Sequence, residues 1–187
     1  LLNLAWPADV HTDHADYERE MGHITRPTHT NTSWDAFRLE VNAHRWVYVS
    51  EPGFGVAIAN SGTYGWNVSR HPKDNGGTWS VARASLLKGA RFPDPRADEG
   101  EHDFFHTLHA GADLADAIRD GYAANLCVRR RQGSPVEPLV SVEGVAVEAV
   151  KLAEDGSGDV IIRLYEPYGR HLPTTMTLGL EATSAGD

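Results

Sequence analysis

The sequence predicts an all-β fold, mainly an antiparallel β-sandwich of about ten strands with one short helix. Apolar and polar residues alternate in many short segments. Because successive side chains of a strand point to opposite faces, such alternation places one side of each segment on a core. Turn-forming residues separate the segments, and helical spacing occurs in a single stretch. These three observations favour a sandwich or barrel over an α/β arrangement.

Each predicted strand is a run of alternating residues, beginning with Leu2, Leu4 and Trp6. In chain order the alternating segments are 2–6, 35–42, 45–49, 54–58, 64–68, 79–87, 103–109, 139–143, 145–152, 159–166 and 174–180. Turn signals lie at 51–53, 60–62, 74–77, 154–158 and 167–173. Short strands at this spacing are typical of antiparallel sheets.

The predicted helix lies between residues 111 and 125. Leu114 and Ile118 are four residues apart among alanines, so they share one helical face. Asp113 stands near the start, where the helix dipole favours negative charge. Gly121 lowers the helical propensity of the segment. The pattern therefore indicates one short helix or helical turn that crosses between the sheets.

The chain has 187 residues, and we expect a single β-sandwich domain over residues 1–187. The one candidate linker, residues 133–138, is too short to separate independent domains. The first residues already alternate like a strand and carry no initiator methionine. This start indicates a piece of a longer polypeptide.

Composition excludes several classes of function. The 17 Lys+Arg and 26 Asp+Glu give a formal net charge of −9, and the only basic run is Arg129–Arg131, which argues against a nucleic-acid surface. No apolar run approaches the roughly 18–20 residues of a membrane span, and no signal-peptide pattern is visible. We therefore expect a soluble protein that binds neither nucleic acid nor membrane. Cys127 is the only cysteine, and we expect it to be a buried apolar residue.

Ten histidines raise the hypothesis of a metal site. The densest group is His102, His106 and His109, with Glu101 beside it. On a strand, His102 and His106 would share a face and His109 would lie on the other, which is poor geometry for one ion. The early histidines match no zinc template. They are His11, His14, His23 and His29. We therefore expect neither a metal nor another cofactor in this chain.

An acidic segment over residues 94–103 offers a second hypothesis. A glycosidase needs two carboxyl groups at a defined separation, and a loop can place such a pair. The motifs of serine hydrolases, P-loops and dinucleotide-binding folds are absent. The residues alone therefore indicate a binding or accessory β-domain without a self-contained active site. The carboxylates of the segment are Asp94, Asp98, Glu99, Glu101 and Asp103.

Nine short segments stand in a fixed order along most of the chain. They are RPTHTNTSWD at 26–35, AHRWV at 43–47, GFGVA at 53–57, NSGTYG at 60–65, SLL at 85–87, FPDP at 92–95, DEGEH at 98–102, AVKLAED at 149–155 and RLYE at 163–166. In this order they resemble the C-terminal β-domain of glycoside hydrolase family 38 α-mannosidases, most of all the bacterial type.

The resemblance implies the C-terminal part of a retaining exo-α-mannosidase that hydrolyses terminal α-mannosides in mannose-containing glycans. An N-terminal β/α catalytic domain, missing upstream of this chain, would carry the aspartate nucleophile and bind zinc. This fragment would scaffold and edge the active site and be inactive alone. Its partners would be that catalytic domain and a mannoside or oligosaccharide substrate. The bacterial resemblance and the absent export signal indicate a cytoplasmic location, and a homo-oligomer is left open.

The resemblance also implies where this chain meets the substrate. In family members a cationic residue that follows the Leu-Leu strand reaches toward the bound sugar, and here that position is Lys88. Related sequences often carry arginine there, so Lys88 would lose a bidentate fork to sugar hydroxyls. The acidic loop that follows is expected to line the sugar pocket or the domain interface. The candidates for these contacts are Lys88, Asp94, Asp98, Glu101 and His102.

We expect Trp34 and Trp46 to fill the sandwich core. Two other hypotheses stay open. One is a free-standing carbohydrate-binding module that uses Trp66 or Trp79 as a sugar platform. The other is a β-barrel enzyme with a histidine-bound metal. A module would expose a shallow aromatic groove, whereas a domain separated from its partner would expose a broad apolar patch.

Overall fold

The computed structural model describes residues 1–186, which divide into two compact units. The first unit is Leu1–Cys127, and the second begins at Val128. The elements of the first unit are β1 (Leu2–Ala8), β2 (His14–Arg19), β3 (Gly22–Pro27), α1 (Ser33–Phe37), β4 (Val41–Asn42), β5 (Trp46–Glu51), β6 (Phe54–Ser61), β7 (Gly65–Pro72), β8 (Thr78–Leu87), β9 (Phe105–Ala110) and α2 (Leu114–Asn125). Those of the second unit are β10 (Val140–Val142), β11 (Ala146–Leu152), β12 (Val160–Tyr165) and β13 (Met176–Leu178).

Two antiparallel sheets build the first unit. One has the strand order β1-β8-β7-β4, and the other has the order β3-β2-β5-β6-β9. A single apolar cluster joins them: Tyr17, Val47 and Ile58 of the five-stranded sheet lie in it with Trp66 and Ala84 of the four-stranded sheet. The predicted all-β sandwich is therefore confirmed, and its core lies between these two sheets.

The central strands of the five-stranded sheet are buried on both faces. Val47 and Ile58 point into the sandwich, whereas Trp46, Tyr48 and Ala57 point to the other face. Helix α2 covers that second face through Ala117, with Leu114 and Ile118 packed against the same cluster. Strands buried on both sides are apolar at nearly every position, which explains the continuous apolar runs of β5 and β6.

Helix α2 confirms the helix predicted between residues 111 and 125. It begins at a capping box in which Asp113 accepts the Asp116 N–H and donates its own N–H to the Asp116 carboxylate. Gly121, unfavourable for a helix, is buried against Trp46. A Cβ at that position would lie 2.6 Å from Trp46 Cδ1, so the glycine is required by the close approach of the helix to the sheet.

The second unit contains two separate antiparallel ribbons. One pairs β10 with β13, and the other pairs β11 with β12. Its strand residues are half-buried or exposed. Among residues 1–186, no helix is long and apolar enough to span a membrane.

The predicted single domain over residues 1–187 differs from the two units of the structure. Residues 126–139 are exposed and contain neither helix nor strand. This stretch includes the candidate linker 133–138, and its arginines, glycine and prolines give no apolar face to bury. Cys127 lies at its start and is exposed, so the expectation of a buried cysteine was wrong.

The two tryptophans expected in the sandwich core have different surroundings. Trp46 is 1% exposed, but it packs beneath helix α2 and not between the sheets. Trp34 is 82% exposed, so the expectation of a core residue was wrong. It lies on α1, a single helical turn with no buried residue. The alternation at 35–42 predicts a strand there, but only Val41–Asn42 pairs with the sheet.

Candidate functional site

A groove of about 770 Å³ lies on the four-stranded sheet, away from the sandwich core. Strand β8 supplies much of its floor. Ala82 and Ala84 point into the core, so the intervening Arg83 and Ser85 point to the groove. Lys88 follows the last residue of β8 and lies at the same groove. One strand therefore presents a cation on the floor and a second cation at its end.

The segment after α1 closes one side of the groove with Leu39 and Glu40. The Ser85 hydroxyl donates a hydrogen bond to Glu40 Oε1. Gly65 is paired with Ser85 across the sheet, and a Cβ at Gly65 would lie only 2.9 Å from that carboxylate oxygen. The glycine therefore leaves the space in which Glu40 sits over the sheet.

The Arg83 guanidinium is held in place by the neighbouring strand. Its Nη1 donates to Asn67 Oδ1 at 3.2 Å and to Ser69 Oγ at 2.8 Å. Asn67 lies opposite Arg83 in the β7–β8 register, and Ser69 is the next residue on the same face. The side chain is half-buried. These two acceptors are neutral, so Arg83 keeps its charge without an anionic partner among the described residues.

Helix α1 is shaped by local hydrogen bonds, and its apolar residues face solvent. Thr32 and Asp35 form a capping box, and Arg38 lies 3.5 Å from the Asp35 carboxylate. The hydrogen bond from the Thr32 hydroxyl is the main cause that lowers the pKa of Asp35 below its usual value. Trp34 and Phe37, both more than 80% exposed, therefore stand on a hydrogen-bonded turn beside the groove residue Leu39.

Of the five predicted contact residues, only Lys88 lies at the groove. The other four belong to the loop that follows it. Asp94 accepts the Arg96 N–H at 2.9 Å, and Asp98 accepts the Gly89 N–H. His102 contacts the Asp98 carbonyl oxygen through Nε2 at 3.1 Å and stacks on Phe104. Glu101 is exposed. Asp94, Asp98 and His102 therefore hold the shape of the loop.

The structure also separates the histidines of the metal hypothesis. The His106 ring packs against both Trp6 and Trp66, at centroid distances of 5.0 Å and 6.0 Å. Burial lowers the pKa of His106 below its usual value. His109 lies on the opposite face of β9 and contacts Asp120 of α2 at 2.7 Å. Within residues 1–186, no three or more His, Cys, Asp or Glu side chains are grouped so that they could hold a metal ion. The residues present therefore do not fit a zinc site.

The two tryptophans of the module hypothesis do not form an exposed platform. Trp66 is fully buried and stacks on Trp6 with ring centroids 5.7 Å apart. Trp79 is half-buried, and its ring lies against His71. Two exposed aromatic residues, Trp34 and Phe37, instead lie on α1 next to the groove.

Two family models match the chain in order. Residues 1–96 match the model of the glycosyl hydrolases family 38 C-terminal domain, and residues 144–186 match that of the family 38 C-terminal β-sandwich domain. The chain belongs to glycosyl hydrolase family 38. The first match lies within the first structural unit and the second match within the second, so two family segments correspond to the two units.

Curated relatives are α-mannosidases that are much longer than this chain. Alpha-mannosidase 2C1 of Homo sapiens is 36% identical over 196 residues, a match that covers 98% of this chain and 18% of the human protein. Alpha-mannosidase G of Dictyostelium discoideum is 33% identical, and the match covers 90% of this chain and 16% of that protein. The chain therefore spans about a fifth of the length of these relatives.

Solved structures show the same fold. An α-mannosidase from Enterococcus faecalis V583 superposes with a TM-score of 0.68 at 20% identity, over 94% of this chain and 21% of that one. A family 38 protein from the same species gives a TM-score of 0.61 at 19% identity, over 94% of this chain and 22% of that one.

Sequence reasoning missed three groove residues: Glu40, Asn67 and Arg83. The available signal was alternation, because Asn67 and Arg83 are polar residues that flank core positions on neighbouring strands. Whether Asn67 and Arg83 come into contact depends on the β7–β8 register, which the sequence does not show. The hydrogen bond between Glu40 and Ser85 joins residues 45 positions apart.

Proposed function

We propose that this chain is the C-terminal part of a retaining exo-α-mannosidase that hydrolyses terminal α-mannosides in mannose-containing glycans. The observation that carries the proposal is the family 38 membership together with the groove beneath Lys88. In this proposal the chain scaffolds and edges the active site. The aspartate nucleophile and zinc belong to a catalytic part outside these 187 residues.

The groove suits a polyhydroxylated ligand. Lys88 and Arg83 donate hydrogen bonds, while the Glu40 carboxylate accepts them, and a sugar hydroxyl does both. A groove of about 770 Å³ falls in the usual size range of small-molecule sites. In the proposed enzyme, these side chains orient the mannoside at one wall of the pocket, and Lys88 bonds a hydroxyl of the sugar.

The acidic loop supports a non-catalytic role for this chain. Retaining glycosidases use two carboxyl groups about 5–5.5 Å apart, one as nucleophile and one as acid and base. Asp94 and Asp98 instead accept backbone N–H groups of their own loop. Both carboxylates are therefore engaged in contacts within the loop. This chain therefore contributes binding contacts and not the chemical step.

The exposed apolar residues of α1 support a partner at this side of the molecule. Trp34, Phe37 and Leu39 are each more than 70% exposed on a turn that hydrogen bonds hold in place. A fixed exposed apolar cluster of this kind is typical of an interaction surface. We assign its partner as the catalytic domain of the same enzyme, which would then bring its active site against the groove.

The longer polypeptide that includes this chain provides the test. We expect it to release mannose from p-nitrophenyl α-mannoside, with α-mannose as the first product detected by NMR, because retaining enzymes preserve the anomeric configuration. Removal of metal with a chelator should abolish turnover, and zinc should restore it. Absence of hydrolysis, or β-mannose as the first product, would contradict the proposal.

A further inference from the structure

Arg83 differs from every other cation that the structure describes. All the other lysines and arginines of residues 1–186 either lie within 4.0 Å of a carboxylate or are exposed. Within that range Arg83 alone is half-buried and has no carboxylate partner. A partly desolvated charge without a counter-ion is unfavourable, so such groups are usually paired. An unpaired one on the floor of a groove indicates a missing anionic partner.

The guanidinium is also oriented for a further ligand. Both of its hydrogen bonds, to Asn67 and Ser69, come from Nη1. A guanidinium has five N–H donors in a planar fork. The described residues therefore leave the donors on Nε and Nη2 free, in a side chain that neighbouring strand residues hold still. Such a fork matches the two oxygens of a carboxylate or phosphate.

Lys88 adds a second positive charge to the same groove. The one carboxylate there, Glu40, already accepts a hydrogen bond from Ser85. A site with two cations and one engaged carboxylate has an excess of positive charge on a chain whose net charge is −9. This excess of positive charge is local, and the groove concentrates the resulting electric field on a ligand inside it.

We propose that Arg83, assisted by Lys88, binds a carboxylate or phosphate on a small ligand in the groove. Within the mannosidase function proposed above, on which this assignment of the ligand rests, the mannoside substrate carries the anionic group. The enzyme then prefers mannosides that carry a negative charge over neutral ones.

The first test uses the 187-residue chain and inorganic phosphate. The Nε–Hε resonance of Arg83 is followed by NMR during a phosphate titration at constant ionic strength. In the native chain we expect the Arg83 resonance to shift and to saturate at millimolar phosphate. In Arg83→Gln, which lacks that resonance, the backbone amides of the groove are followed instead, and we expect them to show no saturable shift. Arg26→Gln is the matched control, because Arg26 is an exposed, unpaired arginine of β3. An unshifted Arg83 resonance, or an equal effect of both substitutions, would overturn the anion site.

The second test uses the longer enzyme and two substrates. The ratio of kcat/KM for 4-carboxyphenyl α-mannoside to that for phenyl α-mannoside should fall about 10- to 100-fold in Arg83→Gln, since a hydrogen bond to a charged group contributes about that much. Arg83→Lys, which keeps the charge and loses the fork, should give an intermediate ratio. An unchanged ratio would show that the anion does not belong to the substrate. If the enzyme cleaves neither substrate, the mannosidase proposal fails, while the phosphate titration still decides the anion site.

Discussion

Replacing Trp46 with alanine should destabilise the first unit by about 3–5 kcal/mol, the cost of losing a large buried aromatic side chain and leaving a cavity. Trp46 is 1% exposed and lies between β5 and helix α2. Its indole approaches Gly121 so closely that the helix has no room for a Cβ there. Neither the sheet nor the helix can fill the vacated space without moving the helix axis, so the cavity should persist.

Urea unfolding, monitored by far-ultraviolet circular dichroism, measures this loss. Trp34→Ala is the matched control, because the same side chain is removed from a position that is 82% exposed. Exposed substitutions usually change stability by less than about 0.5 kcal/mol. Equal free energies of unfolding for the two variants would contradict the position of Trp46 beneath α2.

Lys88→Ala should lower kcat/KM of the longer enzyme by roughly 10- to 150-fold, because a hydrogen bond to a charged donor contributes about 1.5–3 kcal/mol. Lys88 lies at the groove just after the end of β8, where it would form part of the wall of the proposed pocket. Its side chain is exposed, so the free energy of unfolding should change little. Steady-state kinetics on p-nitrophenyl α-mannoside measure the effect.

Arg91→Ala provides the matched control for Lys88→Ala. Arg91 is an exposed cation three residues further along the loop and does not line the groove. Glu101→Ala tests whether the loop itself contributes, since Glu101 is exposed outside the groove. We expect both variants to keep kcat/KM within about twofold of the native value. A native kcat/KM in Lys88→Ala would remove this end of β8 from the pocket wall and leave only the scaffold role.

Much of the sandwich follows from alternation alone. The segments at 2–6, 54–58 and 79–87 each fall within a strand of the structure, although β1 is largely exposed and β6 is buried on both faces. Strands β2 and β3 were not predicted. In β2 the apolar Ala15 and Tyr17 alternate with acidic residues, but the run is short and the charged Glu18 is also buried. Glu18 is buried because it binds Arg45, a pairing across 27 positions that no local pattern contains.

Helix α1 shows where local pattern and structure disagree. Its residues alternate like a strand, but Thr32 and Asp35 form a capping box that begins a helical turn. The two capping-box residues lie three positions apart and are visible in the sequence. Here the box determines the local structure, because these alternating residues do not pair with a neighbouring strand. We predicted burial of Trp34 from its residue type, and this was wrong because α1 is a single helical turn that buries none of its residues.

The candidate site was predictable only in part. Lys88 followed from the family resemblance and lies at the groove. Asp94, Asp98 and His102 were chosen for their charge and chemical type, but their contacts are within the loop. Whether a polar side chain meets a ligand or its own backbone depends on loop geometry. The register of the paired strands β7 and β8, which brings Arg83 to Asn67, is likewise absent from any single segment.

The central claim is that these 187 residues shape a mannoside pocket without performing the chemistry. Mannose release from p-nitrophenyl α-mannoside tests it most directly, measured for the isolated chain and for the longer enzyme at equal concentration with zinc added. We expect turnover by the longer enzyme and none above the buffer blank by the isolated chain, because the proposed function assigns the nucleophile and the acid of glycoside hydrolysis to a part outside these 187 residues. Zinc-dependent release of mannose by the isolated chain would contradict the claim.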